Sequence, residues 1–137
     1  NELILLGLKM FLIKASRVGG KVKFIGKSKK RQTIERFLGL VEQFYSDSLP
    51  LSFYAEELNI TTIYLNRLIN EFYDKSVSEF INERVLLEAK RIIRFSPKSV
   101  KEISFELGFE DPSYFSRFFK KHVGVTPLQY RKDVLVK

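Results

Sequence analysis

The 137-residue sequence has no cysteine, no tryptophan, one methionine and one histidine. Without cysteine there is no disulfide scaffold, no thiolate zinc site and no thiol nucleophile. A single histidine, His122, excludes a histidine-rich metal site. At helical spacing it has Phe118 and Phe119 on one side and Val125 and Thr126 on the other. None of these is an obvious carboxylate or hydroxyl partner, so we read His122 as a helix-end residue interacting with the last carbonyls. No glycine-rich phosphate loop follows a strand, because no convincing strand is present. The acidic pair Glu56-Glu57 falls on a helix surface. These absences argue against an enzyme, and no catalytic residue, metal or cofactor is expected.

Long hydrophobic runs are also missing. Leu3 to Ile13 is apolar except for Gly7 and Lys9, about half of the roughly 20 residues a membrane-spanning helix needs. It lacks the basic leader and small-residue cleavage site of a signal peptide. We read residues 2–18 as a helix that is apolar on most sides and therefore needs a partner: a second copy or a missing domain. The chain begins with Asn1, and we expect it to be part of something longer.

What is present is a substantial core and a basic balance. Hydrophobic residues make up 45% and aromatics 14%, with 13 phenylalanines, which excludes disorder as the main state. The length suits one globular domain, at roughly 100–200 residues each. The net charge of +8 points to a polyanion, with simple solubility as the plainer explanation. That charge is unevenly spread. Residues 1–30 hold eight Lys/Arg against one acid, and residues 31–137 hold 16 against 15. Residues 18–31, VGGKVKFIGKSKKR, carry three glycines and six basic residues and read as a linker. It serves either as a solvated tether or as a basic arm on phosphates.

From Lys30 onward the apolar period is helical. Ile34, Phe37, Leu38, Val41, Phe44 and Tyr45 share one face, ended by Ser46, Asp47 and Ser48. A short helix follows Pro50 to Leu58 and is closed by Asn59. Thr61 or Thr62 caps the next, whose stripe is Leu65, Leu68, Ile69 and Phe72. A long helix spans Val77–Phe95, on the order of 28 Å at 1.5 Å per residue. It presents Val77, Phe80, Ile81, Val85, Ala89, Ile92 and Ile93 on one face. Ser99 and Glu102 form a capping box for a helix ending at Leu107-Gly108. Asp111-Pro112 starts a helix that Gly124 ends, and Thr126-Pro127 starts a last one.

Two segments repeat. LSFYAEELNI (51–60) aligns with VKEISFELGF (100–109) at an offset of 49, and YLNRLINEFYDKS (64–76) with YFSRFFKKHVGVT (114–126) at 50. The extra residue falls in the turn. Short helix, turn and amphipathic helix, twice, is a helix-turn-helix repeat; an ordinary helical hairpin is the plainer alternative. With Phe115, Phe118, Phe119 and Val123 inward, the second helix leaves Ser113, Ser116, Arg117, Lys120 and Lys121 outward. Small, polar and basic residues suit a major groove. The first unit offers Thr62, Ile63, Asn66, Arg67 and Asn70. Ile63 suits a thymine methyl, Asn66 an adenine, and Arg67 a guanine or phosphate.

At this point the sequence resembles the AraC/XylS family of bacterial transcription regulators. The resemblance is carried by GFEDPSYFSRFFKKHVGVTPLQYR (108–131), supported by EAKRII (88–93) and YLNRLI (64–69), and covers residues 31–132. It implies an all-α fold of seven helices, two helix-turn-helix subdomains joined by a long central helix, here preceded by the N-terminal helix. The boundaries it suggests are 1–18 (a packing or dimerisation helix left from an effector domain), 19–30 (linker), 31–96 (first subdomain with the connecting helix) and 97–137 (second). It implies recognition helices at about 61–73 and 112–123 in successive major-groove segments, about 34 Å apart. Base-reading positions then fall on Thr62, Ile63, Asn66 and Arg67 and on Pro112, Ser113, Ser116 and Arg117, with Asn70, Lys120 and Lys121 on phosphate. Double-stranded DNA is the implied partner. A homodimer through the N-terminal region and RNA polymerase follow from the same resemblance, as does a cytoplasmic, non-membrane location. Asp74 departs from the pattern, standing where the repeat has Gly124, and Asn70-Glu71 replace the lysine pair. The alternative function is a helical protein-interaction or membrane-surface domain built on the apolar N-terminal helix.

Overall fold

The computed structural model describes residues 28–136, and the readings of 1–18 as a helix and of 19–27 as linker lie outside them. Seven α-helices run through the described residues: α1 (Lys29–Phe44), α2 (Leu51–Glu57), α3 (Thr62–Tyr73), α4 (Val77–Phe95), α5 (Val100–Glu106), α6 (Pro112–Val123) and α7 (Pro127–Val136). A 3₁₀ turn, Tyr45–Asp47, follows α1. This is the all-α, seven-helix arrangement expected. One boundary moves: Lys29 and Lys30, assigned to the linker, open α1, because the Ser28 hydroxyl accepts the Arg31 N–H at 3.1 Å and starts the helix two residues early.

The described residues divide into two compact units, 28–43 with Leu51–Val77, and Phe44–Pro50 with 78–136. In the first, α1 buries Ile34, Phe37 and Val41, α2 buries Tyr54 and Ala55, and α3 buries Leu65, Leu68 and Ile69. The Phe37 and Tyr54 rings meet edge to face at 6.0 Å. In the second, Val85, Leu86, Ala89, Ile92 and Ile93 of α4 join Ile103, Leu107, Phe115 and Phe119 in one core. Phe109 packs on Phe115 at 5.2 Å and on Phe118 at 5.3 Å, and Phe119 meets Tyr130 at 5.6 Å. The connecting helix, grouped by sequence with the first subdomain, therefore contributes its main apolar face to the second.

The helix-turn-helix repeat holds down to individual hydrogen bonds. The Ile60 N–H returns to the Ala55 carbonyl at 3.0 Å, and the Phe109 N–H to the Ser104 carbonyl at 2.9 Å. Both turns pass through a left-handed residue, Asn59 at φ 56° and Gly108 at φ 90°. Gly108 is further constrained: a Cβ there would run into the Ser46 carbonyl oxygen. Ala55 and Ser104 occupy equivalent, fully buried places, small enough to let α2 approach α3 and α5 approach α6. The capping signals are realised. Thr61 accepts from the Tyr64 N–H, Asp111 from the Ser113 N–H and Thr126 from the Gln129 N–H, at 3.0, 3.0 and 3.1 Å. Ser99 and Glu102 bond reciprocally at 3.1 and 2.8 Å. The Ser99 N–H, then its hydroxyl, hold the Glu102 carboxyl below its ordinary value. Asp74 is left-handed at φ 58°, as Gly124 is at 98°.

Phe72 departs from its expected place in the α3 stripe and stays 40% exposed. It lies in the last turn, past Leu68 and Ile69, and its repeat partner His122 is exposed too. The end of α4 is closed from α7: Arg131 donates to the Ile93 and Ser96 carbonyls at 3.0 and 3.1 Å. These are orphan acceptors at a helix C-terminus. On α4, the buried Glu88 receives Arg91 through both oxygens. Arg84 lies 3.7 Å from the same carboxylate and stacks on Tyr45 at 4.3 Å.

Phe119 has no exposed surface and its ring meets Phe115 within α6 and Tyr130 of α7. Phe119→Ala should cost roughly 3–5 kcal/mol, the usual loss for a buried Phe truncated to Ala. Urea denaturation should show a lowered midpoint; an unchanged midpoint would place Phe119 outside the core.

Candidate nucleic-acid interface

The second helix of each unit turns one face into its core and the other to solvent. On α6 the buried Phe115 and Phe119 fix the rotation. Ser113, Arg117, Lys120 and Lys121 are exposed on the opposite face, while Pro112 and Ser116 are half-buried at its margin. These residues recur at i, i+4, i+7 and i+8, so they form one stripe. On α3, Ile63, Arg67 and Asn70 are exposed along the matching stripe, with Thr62 and Asn66 half-buried. Among the described residues, Arg67, Arg117, Lys120 and Lys121 make no hydrogen bond or ion pair. Their charged groups are uncommitted.

Asn66 is the exception to the expected roles. Its Oδ1 accepts the Val77 backbone N–H at 2.9 Å. That donor opens α4, where the first turn has no intrahelical acceptor, and Val77 is fully buried. An asparagine reads adenine with its oxygen and its amide together. Here the oxygen already accepts a buried N–H, so Asn66 also holds the start of α4, through one of the two lone pairs of its amide oxygen. The repeat carried a signal for this. The residues equivalent to Asn66 and Val77 are Ser116 and Pro127, and proline has no N–H to satisfy.

Two further residues change the picture. Tyr114, given no role by the sequence pattern, is 57% exposed on α6. It sits i−3 from Arg117 and i−7 from Lys121, and its ring leans edge-on against Phe109 at 5.8 Å. On α3, Glu71 occupies the place of Lys121 and pairs with Lys30 at 3.4 Å. His122 keeps its expected place: Nδ1 donates to the Phe118 carbonyl at 2.9 Å and the ring rests on Phe118 at 4.7 Å. Among the described residues, no group of three acidic, histidine or cysteine residues is placed to hold a metal ion. No described helix is long and apolar enough to cross a membrane.

A family model described as "Helix-turn-helix domain" matches residues 54–133, more than half of the chain. The chain belongs to this helix-turn-helix family. It is similar to the Msm operon regulatory protein of Streptococcus mutans, at 27% identity over 95 residues, 69% of this chain and 34% of that protein. It spans about a third of the length of the first curated relatives it matches. Among solved structures it resembles the C-terminal domain of AraT, a response regulator from Geobacillus stearothermophilus. The TM-score is 0.72 at 28% identity, covering 77% of this chain and 88% of that one. A Chromobacterium violaceum transcriptional regulator described as having an AraC-type DNA-binding domain shares the fold, at TM-score 0.68 and 21% identity, covering 76% and 93%. The fold is the AraC-type one, and the helix-turn-helix family is one of non-enzymatic regulatory domains.

Removing the Asn66 side chain should leave the Val77 N–H buried and unsatisfied. Asn66→Ala should cost about 1–3 kcal/mol. Asn66→Asp keeps an oxygen there and adds negative charge at a helix N-terminus, which favours it, so it should retain most of that stability. Urea titration of both variants distinguishes them, and equal losses would show that the hydrogen bond is not what matters.

Proposed function

We propose that this chain is the DNA-binding part of a bacterial transcription regulator of the AraC/XylS type. In this reading α3 and α6 are recognition helices that enter successive major-groove segments of double-stranded DNA. The observation that carries it is the outward stripe of α6: Ser113, Arg117, Lys120 and Lys121, exposed and uncommitted, on a helix whose rotation Phe115 and Phe119 lock. A solvated helix needs no such separation of small and cationic residues from acidic ones. A helix facing a phosphate-walled groove does.

Ser113 and Arg117, with Pro112 and Ser116 at the margin, are the base-reading candidates of the second unit. Thr62, Ile63, Asn66 and Arg67 are those of the first, Asn66 with one lone pair of its oxygen already on the Val77 N–H. Lys120 and Lys121, near the helix end, suit phosphate, as Asn70 does more weakly. The limit at 18, a homodimer through the N-terminal region, contact with RNA polymerase and a cytoplasmic location belong to the same proposal. They are supported by the resemblance to regulators of this type. The membrane-surface alternative rests on residues 1–18, outside the described part, and no described feature favours it.

Selection of bound sites from a random DNA pool tests the proposal directly. Two enriched half-motifs about one helical turn apart are expected, and a pool without enrichment would overturn it. On the selected site, Arg117→Ala should cost about 1–3 kcal/mol and relax preference at one position; an unchanged base preference would move Arg117 to the phosphate class. Lys120→Ala should weaken all sequences alike and reduce the salt slope by about one. A sequence-dependent loss measured by fluorescence anisotropy would contradict that role.

A further inference from the structure

We infer that the two units read DNA through different chemistry: the first recognises the C5-methyl group of thymine through Ile63, and the second grips through charge. This rests on the DNA-binding reading above and goes beyond it by assigning a specificity to each unit.

The argument is one of subtraction on α3. Its outward residues are Thr62, Ile63, Asn66, Arg67, Asn70 and Glu71. The Asn66 oxygen already accepts the Val77 N–H. The Glu71 carboxylate, which repels phosphate, is held by Lys30 at 3.4 Å. Thr62 is half-buried beside Thr61, whose own hydroxyl caps the helix. Arg67 and Ile63 are left as the prominent groups, one turn apart on one stripe. Ile63 is 71% exposed in the first turn of α3, an aliphatic side chain with nothing over it. In the major groove only thymine offers an apolar group, its C5-methyl, to such a side chain.

The second unit has the reverse composition. Ser113 replaces Ile63, while Lys120 and Lys121 replace Asn70 and Glu71. Its α6 stripe carries three uncommitted cations and no acid. The α3 stripe carries one cation and one acid. Salt dependence should therefore come mainly from α6, and a methyl-dependent preference from α3.

The test uses the whole chain and its selected site, with each thymine replaced in turn by deoxyuridine, which lacks only the methyl group. For the wild-type protein, at least one replacement should weaken binding about fourfold, the worth of one buried methyl-sized group. Ile63→Ala should bind the thymine and uracil versions equally, and Ile63→Val, which keeps a branched side chain, should retain the discrimination. A folded Ile63→Ala protein that still prefers thymine overturns the inference, as does a wild-type protein indifferent to every replacement. In parallel, Lys120→Gln with Lys121→Gln should lower the salt slope by about two, at roughly 0.9 per phosphate contact. Arg67→Gln, which removes the one cation of the α3 stripe, should lower it by no more than about one; a slope that falls equally in both variants overturns the division of labour. Failure to bind any selected site would instead overturn the DNA-binding reading itself.

Discussion

Complete burial of Phe115 and Phe119 on one side of α6 is the constraint on which the second unit depends. A 12-residue helix is marginal alone in water, so its stability comes from its packed face. Locking two aromatic rings into the α4–α5–α7 core fixes the rotation of the helix about its axis. That rotation decides which residues meet solvent. Arg117, Lys120 and Lys121 are outward because Phe115 and Phe119 are inward, and no local preference of their own sets them there. The first unit solves the same problem with aliphatic residues, Leu65, Leu68 and Ile69, beside the aromatic rings of Phe37 and Tyr54.

Short helices carry many unpaired backbone ends for their length, and this fold spends side chains on them throughout. Thr61, Asp111 and Thr126 each close an N-terminus from the residue before it. Arg131 reaches two terminal carbonyls of α4, which ties α7 to the end of the long helix. The start of α4 is closed from α3 by Asn66, whereas the equivalent start of α7 is a proline that needs nothing. One duplicated motif thus has two solutions to one backbone problem. The choice determines whether the residue at that place in the recognition helix is free.

Much of this was legible in the sequence, for identifiable reasons. The Phe95 end of α4 was readable because Ser96-Pro97 is a strong stop, and the α6 limits because Asp111-Pro112 and Gly124 are strong caps. The helix-turn-helix repeat was visible because the pattern of large and small apolar residues is duplicated. What was not legible depended on contacts distant in sequence. The grouping of α4 with the second core follows from Val85 to Ile93 meeting α5 and α6. The early start of α1 rests on a single serine hydroxyl. The role of Asn66 needed the position of Val77, 11 residues away. Tyr114 carries no signal in the pattern because it adjoins the inward Phe115 in the chain, although its i+3 and i+7 neighbours are cationic.

The distribution of charge along α3 and α6 also answers to the helices themselves. A helix C-terminus carries a partial negative charge. On α6 the last turn holds Lys120, Lys121 and His122, so the cations proposed to meet phosphate also stabilise the helix that carries them. On α3 the last turn has no basic residue, and Glu71 and Asp74 sit where the partial charge is already negative. Lys30, brought from the start of α1, offsets part of that at Glu71. Asp74 adds the cost of a left-handed backbone that Gly124 avoids, of order 1 kcal/mol. Of the two helices, α3 is therefore the one whose end is locally less favourable. Its hold on the fold must come from the buried stripe and from the Asn66–Val77 bond. The first unit thus commits a polar residue of α3 to its own backbone, while the α6 stripe keeps Arg117, Lys120 and Lys121 uncommitted.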